Sequence, residues 1–193
     1  MAATASNMLK LGTHAPSFSL INALGGVVSL KDFDNAQALV VMFICNHCPY
    51  VKHLNEALVS FANDFKPEGV ECVAISANDS EKYPQDGIEF MAQVAKDLEY
   101  PFPYLFDKTQ EIAKAYQAAC TPDFYLFDSN NKLFYRGQFD DSRPGNDSPV
   151  TGKDLRDATR ALLDGKSSYE PQVPSIGCNI KWIPGNEPEY FNK

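Results

Sequence analysis

The most informative segment of the chain reads Val40-Val41-Met42-Phe43-Ile44-Cys45-Asn46-His47-Cys48-Pro49-Tyr50. Its apolar run predicts a buried strand that leads into a Cys-x-x-Cys pair, and Pro49 suits the first turn of a helix that follows. A helix N-terminus offers unpaired backbone N–H groups and the positive end of the helix dipole, and both favour an anion. The segment therefore predicts a redox pair of thiols, the first of which, Cys45, ionises near neutral pH.

Two cysteines at this spacing also form half of many structural zinc sites, which need two further ligands. The nearest candidates are His47 and His53, but His47 lies between the two thiols. His53 lies five residues beyond Cys48 on the predicted helix, a spacing that turns it away from the same face. The remaining cysteines occur singly, at Cys72, Cys120 and Cys178. We expect no bound metal and no cofactor, and a copper- or other metal-binding module is an alternative of another class.

Composition indicates one domain over residues 1–193, since 193 residues with 44% hydrophobic content are enough for a full core. The net charge of −8 disfavours nucleic acid and anionic membranes as partners. The N-terminal residues lack the pattern of a secretory signal, and no apolar run reaches membrane-spanning length. Five cysteines, an odd number with one close pair, suit a reducing compartment. We therefore expect a cytoplasmic protein.

The first half of the chain predicts a β-α-β unit behind a small hairpin. Residues 17–21 and 27–30 flank Gly25-Gly26 and predict the hairpin, and residues 38–44 predict the buried strand. Apolar residues then recur at steps of three and four, so the predicted helix continues from the cysteines to Pro67. Residues 70–75 predict the next strand, parallel to the first.

The second half predicts a β-α insert, a hairpin, a last helix and a tail. A helix around residues 88–98, a strand at 104–106 and a helix around 109–116 lead to Cys120-Thr121-Pro122. Residues 124–127 and 132–136 are separated by a turn-rich set and predict an antiparallel hairpin. A helix around residues 155–162 follows. Four prolines over residues 166–193 predict an irregular tail that packs on the domain.

This order of elements resembles the thioredoxin fold, an α/β fold with a central mixed sheet flanked by helices. The segments Leu11–Leu20 and Ser29–Phe33, and the insert before Thr121, resemble redoxin domains of the alkyl hydroperoxide reductase/thiol-specific antioxidant superfamily. Two further segments, Arg136–Pro144 and Ile176–Trp182, resemble a peroxiredoxin-like subfamily that carries Cys-x-x-Cys. The resemblance covers nearly the whole chain. It implies an oxidoreductase that acts on protein or small-molecule thiols and disulfides; oligomeric state is left open.

We expect Cys45 to be the nucleophile, because the first cysteine would lie nearest the helix terminus and solvent. Cys48 would then resolve the mixed disulfide. A partly protonated His47 would stabilise the thiolate and make the protein more oxidising than thioredoxin. The resemblance implies that the Thr121-Pro122 peptide bond is cis, faces the redox pair and offers backbone to an incoming peptide.

A thiol-dependent peroxidase that uses Cys45 is the alternative activity. In peroxiredoxins the peroxide-reactive cysteine is the last residue of a Pro-x-x-x-Thr/Ser-x-x-Cys motif. Alignment of that cysteine with Cys45 places Ala38 at the proline position and Met42 at the hydroxyl position. We therefore expect no Thr or Ser hydroxyl beside Cys45 and only weak peroxide consumption. Arg136 or Arg143 would be the source of a guanidinium.

Accessory roles are open for three more residues. Cys120 lies two residues before Pro122, and Cys178 in the tail could fold back as an extra resolving thiol. Each is also readily explained as a small buried residue. The strand before the cysteines contains no acid, so Asp79, at the end of a later strand, is the candidate for proton handling. Cys72, inside an apolar strand, belongs to the core.

Overall fold

The computed structural model describes residues 3–192. Over these residues the strands are β1 (Ala3–Ala5), β2 (Ser19–Asn22), β3 (Val27–Ser29), β4 (Ala38–Phe43), β5 (Val70–Ser76), β6 (Tyr104–Phe106), β7 (Cys120–Thr121), β8 (Asp123–Asp128), β9 (Leu133–Gly137) and β10 (Ile176–Asn179). The helices are α1 (Pro49–Phe65), α2 (Ile88–Asp97), α3 (Glu111–Ala115) and α4 (Lys153–Leu163). Short 3-10 helices span Leu30–Phe33, Lys66–Glu68, Pro84–Asp86 and Glu189–Asn192.

Strand β4 lies inside a seven-stranded mixed sheet of order β3-β2-β6-β5-β4-β8-β9. It pairs in parallel with β5 and antiparallel with β8. Every residue of β4 is buried. A strand covered on both faces has no solvent side, which is why its sequence is apolar throughout instead of alternating. The predicted mixed α/β fold, the N-terminal hairpin and the β-α insert are confirmed.

Successive side chains of β4 point to opposite faces of the sheet and enter two apolar layers. Val40 and Met42 pack with the buried stripes of α1, α2 and α4. Val41 and Phe43 pack in the other layer, which also holds Trp182 from the C-terminal segment. The redox segment therefore leaves the sheet from a strand that is fixed on both faces.

Helix α1 begins at Pro49 and buries one stripe against the sheet, formed by Val51, Leu54, Leu58, Phe61, Ala62 and Phe65. Pro49 is tolerated in the first turn because its missing N–H would have no partner there. The helix passes into a 3-10 turn that Gly69 ends with a φ of 82°, a conformation that glycine adopts without strain. The helix therefore starts directly after Cys48.

The prediction of an irregular tail over residues 166–193 is wrong at β10; Lys193 lies outside the described residues. Strand β10 joins β1 and β7 in a second sheet of order β1-β10-β7. Cys178 pairs with Thr121, so β10 covers the free edge of β7. Gly177 permits this close approach, since a Cβ there would lie 2.0 Å from the Thr121 carbonyl oxygen. The prolines exclude regular structure around β10 but leave these four residues free to pair.

Among residues 3–192, no helix has both the length and the apolar character that crossing a bilayer requires.

Candidate redox site

The two cysteines of the Cys-x-x-Cys pair are both buried at the N-terminus of α1. Cys48 is the N-cap residue of the helix, and Cys45 lies three residues before it. Cys45 is 2% exposed and Cys48 is 0% exposed. The expectation that Cys45 lies nearest the helix terminus is therefore wrong, because the helix begins only after Cys48. Cys45 is the more exposed of the two sulfurs, but it too is buried.

Thr121 contacts both sulfurs. Its Oγ1 lies 3.4 Å from Cys45 Sγ. Its carbonyl oxygen accepts a hydrogen bond from the Cys48 thiol, with 3.1 Å between the oxygen and Cys48 Sγ. The peptide bond between Thr121 and Pro122 is cis, the isomer that the resemblance implies. The expectation that no Thr or Ser hydroxyl lies beside Cys45 is wrong, because β7 supplies one from 76 residues further along the chain.

The two thiols differ in acidity because each has a different set of neighbours. The Cys45 thiol donates to the Cys48 sulfur, and the Cys178 thiol and the Val51 and Cys178 backbone N–H groups also donate; together they lower the pKa of the Cys48 thiol. The same hydrogen bond to Cys48, burial and the charge of Asp86 raise the pKa of the Cys45 thiol. Of the two thiols Cys48 is therefore the more acidic, the reverse of the expectation from the sequence.

His47 is held by a buried carboxylate that the sequence analysis missed. Its Nδ1 lies 2.5 Å from Asp86 Oδ2, and its ring stacks on Tyr83 with centroids 5.4 Å apart. Asp86 is fully buried and also accepts from the backbone N–H groups of Asn46 and His47 and from the Asn78 amide. No local spacing marks Asp86, which lies 39 residues from His47.

Asp86, and not Asp79, is therefore the acid beside the redox pair. Asp79 Oδ1 instead accepts from the backbone N–H groups of Glu81 and Lys82, and so closes the turn after β5. A short polar side chain that bonds the backbone two and three residues ahead is a usual turn-forming arrangement.

The other three cysteines occupy different places relative to the pair. Cys178, from β10, forms a hydrogen bond with Cys48. Cys120 is buried on β7, with its sulfur 3.6 Å from the Pro122 carbonyl oxygen and 3.9 Å from that of Ser175. Cys72 lies in β5, and burial raises its pKa. The structure thus brings Cys178 into contact with the pair and leaves Cys72 in the core.

Neither candidate arginine presents a free guanidinium to Cys45. Arg136, in β9, donates to Gln172 and Glu170 of the C-terminal segment at 2.7 and 2.8 Å. Arg143 donates to the carbonyl oxygens of Asp140 and Ser142 and to the side chain of Gln138. Both arginines therefore hold loops and the tail in place.

A small cleft lies beside Pro122, the residue that follows Thr121. Tyr50 and Leu54 of α1 line one side of it, and Arg143 and Ile176 line another. The cleft is mixed in character, with apolar side chains next to a guanidinium.

One group of side chains near the pair has the chemistry of a metal site. Cys45 Sγ, a His47 ring nitrogen and a carboxylate oxygen of Asp86 all lie within 4.8 Å of one another. Sulfur, imidazole and carboxylate are all zinc ligands. His53 does not join them, since its Nε2 lies 2.7 Å from Ser142 Oγ. Elemental analysis of the purified protein, with His47→Ala as the comparison, tests the metal-binding alternative.

Comparisons with known proteins identify a family and several relatives of this chain. A family model described as the AhpC/TSA family matches residues 11–136. The thiol-disulfide oxidoreductase ResA of Bacillus thuringiensis subsp. konkukian (strain 97-27) is 25% identical over 136 residues, which cover 67% of this chain and 70% of that protein.

Two solved structures show the same fold. A conserved, uncharacterised protein from Geobacillus kaustophilus is 58% identical, with a TM-score of 0.93 over 96% of this chain and 98% of that one. The thioredoxin domain of a thiol-disulfide oxidoreductase from Bacteroides vulgatus is 19% identical, with a TM-score of 0.60 over 80% of this chain and 99% of that one. The second likeness shows the thioredoxin-like fold alone.

Proposed function

The chain belongs to the AhpC/TSA family, and on that premise we propose that it is a thiol–disulfide oxidoreductase whose working couple is Cys45 and Cys48. The single observation that carries the proposal is that the sulfurs of Cys45 and Cys48, at the start of α1, both contact Thr121, at 3.4 Å from its Oγ1 and 3.1 Å from its carbonyl oxygen. Two sulfurs in contact can exchange a proton and can form a disulfide between them. No cofactor is needed, because the two electrons of each turnover come from the thiols themselves.

The chemistry follows from two cysteine sulfurs that lie against the same residue, Thr121. One sulfur, as thiolate, attacks an external disulfide and forms a mixed disulfide, and the departing thiolate takes up a proton. The second sulfur then attacks the first, which closes the Cys45–Cys48 bond and releases the second half of the substrate as a thiol. The substrate is reduced by two electrons, and the pair is oxidised by two.

Substrates of this site are proposed to approach through the cleft beside Pro122. The edge of β7 beside Thr121, where an extended peptide would add as a further strand, is already paired with β10. A cysteine on a protein surface or a small-molecule disulfide needs no strand pairing and fits this approach. We place the activity in a reducing compartment such as the cytoplasm, which suits the odd number of five cysteines.

Equilibration in glutathione buffers of graded potential tests the couple. Acid trapping, alkylation under denaturing conditions and peptide mapping would show a Cys45–Cys48 disulfide whose fraction follows the buffer and reverses on reduction. Cys45→Ser and Cys48→Ser should each abolish that disulfide and the disulfide-reductase turnover, and Cys72→Ser, in the core, should keep both. Wild-type protein that stays fully reduced at oxidising potentials would refute the proposal.

A thiol peroxidase that uses Cys45 is the second candidate, favoured by the Thr121 hydroxyl 3.4 Å from Cys45 Sγ. A hydroxyl in this position can orient a peroxide by hydrogen bonding. We rank this activity second because the pKa of the Cys45 thiol is raised and because Arg136 and Arg143 are bound elsewhere. Rapid mixing with hydrogen peroxide tests the order: fast Cys45 oxidation that Thr121→Val slows and Thr121→Ser preserves would place the peroxidase first.

A further inference from the structure

Strand β10 carries a third thiol into the redox site. Cys178 lies opposite Thr121 in the β10–β7 pair, so it is held beside the residue that contacts both redox sulfurs. Cys178 is close enough to Cys48 that it lowers the pKa of the Cys48 thiol, and the Cys48 sulfur in turn contacts the carbonyl oxygen of Thr121, the pairing partner of Cys178. Cys178 is 3% exposed and shares one apolar layer with Cys45 and Cys48. A thiol held against a redox sulfur and shielded from solvent has that sulfur as its nearest reaction partner.

We propose that Cys178 is a third redox thiol, which exchanges with the Cys45–Cys48 disulfide to form a Cys48–Cys178 disulfide. The proposal rests on the proposed function for the first disulfide and adds a second state of the same site. The Cys178 thiolate attacks Cys48 Sγ, a Cys48–Cys178 bond forms, and the Cys45–Cys48 bond breaks. The electron pair of the broken bond goes to Cys45 Sγ, which takes up the proton that Cys178 lost. The chain stays oxidised by two electrons, so the step needs no further oxidant.

Contact selects Cys178 from the other cysteines. The Cys120 sulfur is directed to the carbonyl oxygens of Pro122 and Ser175, and Cys72 lies inside β5. Cys48 is the sulfur common to both disulfides: Cys45 Sγ leaves it in the forward exchange, and Cys178 Sγ leaves it in the reverse exchange. The two disulfides are therefore linked by a reversible step.

The second disulfide would have two effects on the site. It returns Cys45 to the thiol form while the chain still holds its oxidising equivalents. It also ties β10 covalently to the start of α1, which fixes the strand that covers the edge of β7.

The test is to replace Cys45 and to identify the disulfide that Cys48 then forms. Cys45→Ser protein is oxidised with diamide, trapped in acid, alkylated under denaturing conditions and mapped by mass spectrometry. We expect an intramolecular Cys48–Cys178 disulfide as the main oxidised species. The matched pair of variants is Cys45→Ser/Cys178→Ser, which should lose the disulfide completely, and Cys45→Ser/Cys120→Ser, which should keep it. Circular dichroism confirms that each variant is folded.

In wild-type protein, partial oxidation should give both disulfides, and Cys178→Ser should leave only Cys45–Cys48. A Cys45→Ser variant in which folded protein keeps Cys178 reduced, or joins Cys48 to Cys120, would overturn the proposal. If wild-type protein forms Cys45–Cys48 and the variant gives no Cys48–Cys178, the inference fails alone. If wild-type protein forms no Cys45–Cys48 disulfide, the proposed function fails.

Discussion

His47 Nδ1 lies 2.5 Å from the Oδ2 of Asp86, a fully buried carboxylate from the 3-10 turn before α2. The side chain between the two redox cysteines is therefore held by the insert and not by its own helix. Asp86 also receives the backbone N–H groups of Asn46 and His47, so the Cys-x-x-Cys loop is fixed at three points on one carboxylate. The negative charge of Asp86 raises the pKa of the Cys45 thiol.

The redox potential should respond in opposite directions to His47→Ala and Asp86→Asn. Without His47 the Asp86 carboxylate loses a hydrogen-bond partner, so its negative charge destabilises the thiolate form more strongly and the potential falls. Without the Asp86 charge the pKa of the Cys45 thiol falls, the reduced form is stabilised, and the potential rises. We expect shifts of roughly 15–30 mV, since 30 mV corresponds to about 1.4 kcal/mol. Equilibration against glutathione measures them.

The double variant completes the cycle, and its potential should return towards the wild-type value. Wild-type protein itself should lie above thioredoxin, at about −270 mV, and towards disulfide isomerase, at about −180 mV. Shifts of the same sign in the two single variants would contradict the electrostatic account.

Cys45→Ala should raise the pKa of the Cys48 thiol, because the largest stabilisation of its thiolate is the hydrogen bond from Cys45. In wild-type protein the Cys48 thiolate should persist below the usual pKa of about 8.5, and in the variant it should disappear as pH falls through a higher value. Ultraviolet absorbance of the thiolate against pH gives the titration. Cys72→Ala is the control, with an expected curve like that of wild type, and identical curves for wild type and Cys45→Ala would disprove the assignment.

Asp123→Asn should make the free energy of unfolding less dependent on pH. Burial raises the pKa of Asp123 to about 7, above its ordinary value of about 3.9. The folded state thus binds more protons than the unfolded state between these values, and wild-type stability should fall as pH rises from about 4 to about 7. Asparagine cannot ionise, so the variant gains relative stability over that range, by at most about 4 kcal/mol.

Urea unfolding at pH 4 and pH 8 measures the Asp123 effect. The exposed Asp34 provides the control, since Asp34→Asn removes a carboxyl without relieving burial. Parallel stability profiles for wild type and Asp123→Asn would show that the buried carboxyl does not titrate in this range.

Gly177→Ala should destabilise the protein, because the added Cβ would lie 2.0 Å from the backbone carbonyl oxygen of Thr121. Backbone cannot rotate away, so β10 must move from β7, at roughly 1–3 kcal/mol by analogy with overpacked cores. Urea denaturation gives the free energy. Ile176→Ala, on the same strand but 40% exposed, should change it by less than about 0.5 kcal/mol, and an equal effect of both would argue against the close approach.

Most of the sheet and α1 can be predicted from the sequence, because the apolar residues that become buried recur at the spacing of a strand or a helix. The apolar run of β4 and the three- and four-residue steps of α1 each record which side faces the core. Strand β10 leaves no such record: four residues between prolines have no alternation, and their partner β7 is only Cys120–Thr121.

The site was harder to predict than the fold because its contacts are distant in sequence. The cysteines were identifiable from their own spacing. Asp86 reaches His47 across 39 residues, and the Thr121 hydroxyl reaches Cys45 across 76. The peroxiredoxin motif places the hydroxyl residue before Cys45, on β4. In the structure the hydroxyl comes instead from Thr121, on β7. The acidity of the pair depends on these contacts, so its order was predicted wrongly.

The only tryptophan of the chain, Trp182, lies four residues beyond Cys178, with its indole 7% exposed and its ring 6.4 Å from that of Tyr190. Indole fluorescence therefore comes from one position only. That position lies in the C-terminal segment, just after β10, the strand that covers the edge of β7. Release of the segment would move the indole from an apolar layer into water and shift its emission to longer wavelength. The protein thus contains an intrinsic optical reporter, with which docking of the segment can be followed in real time and without a label.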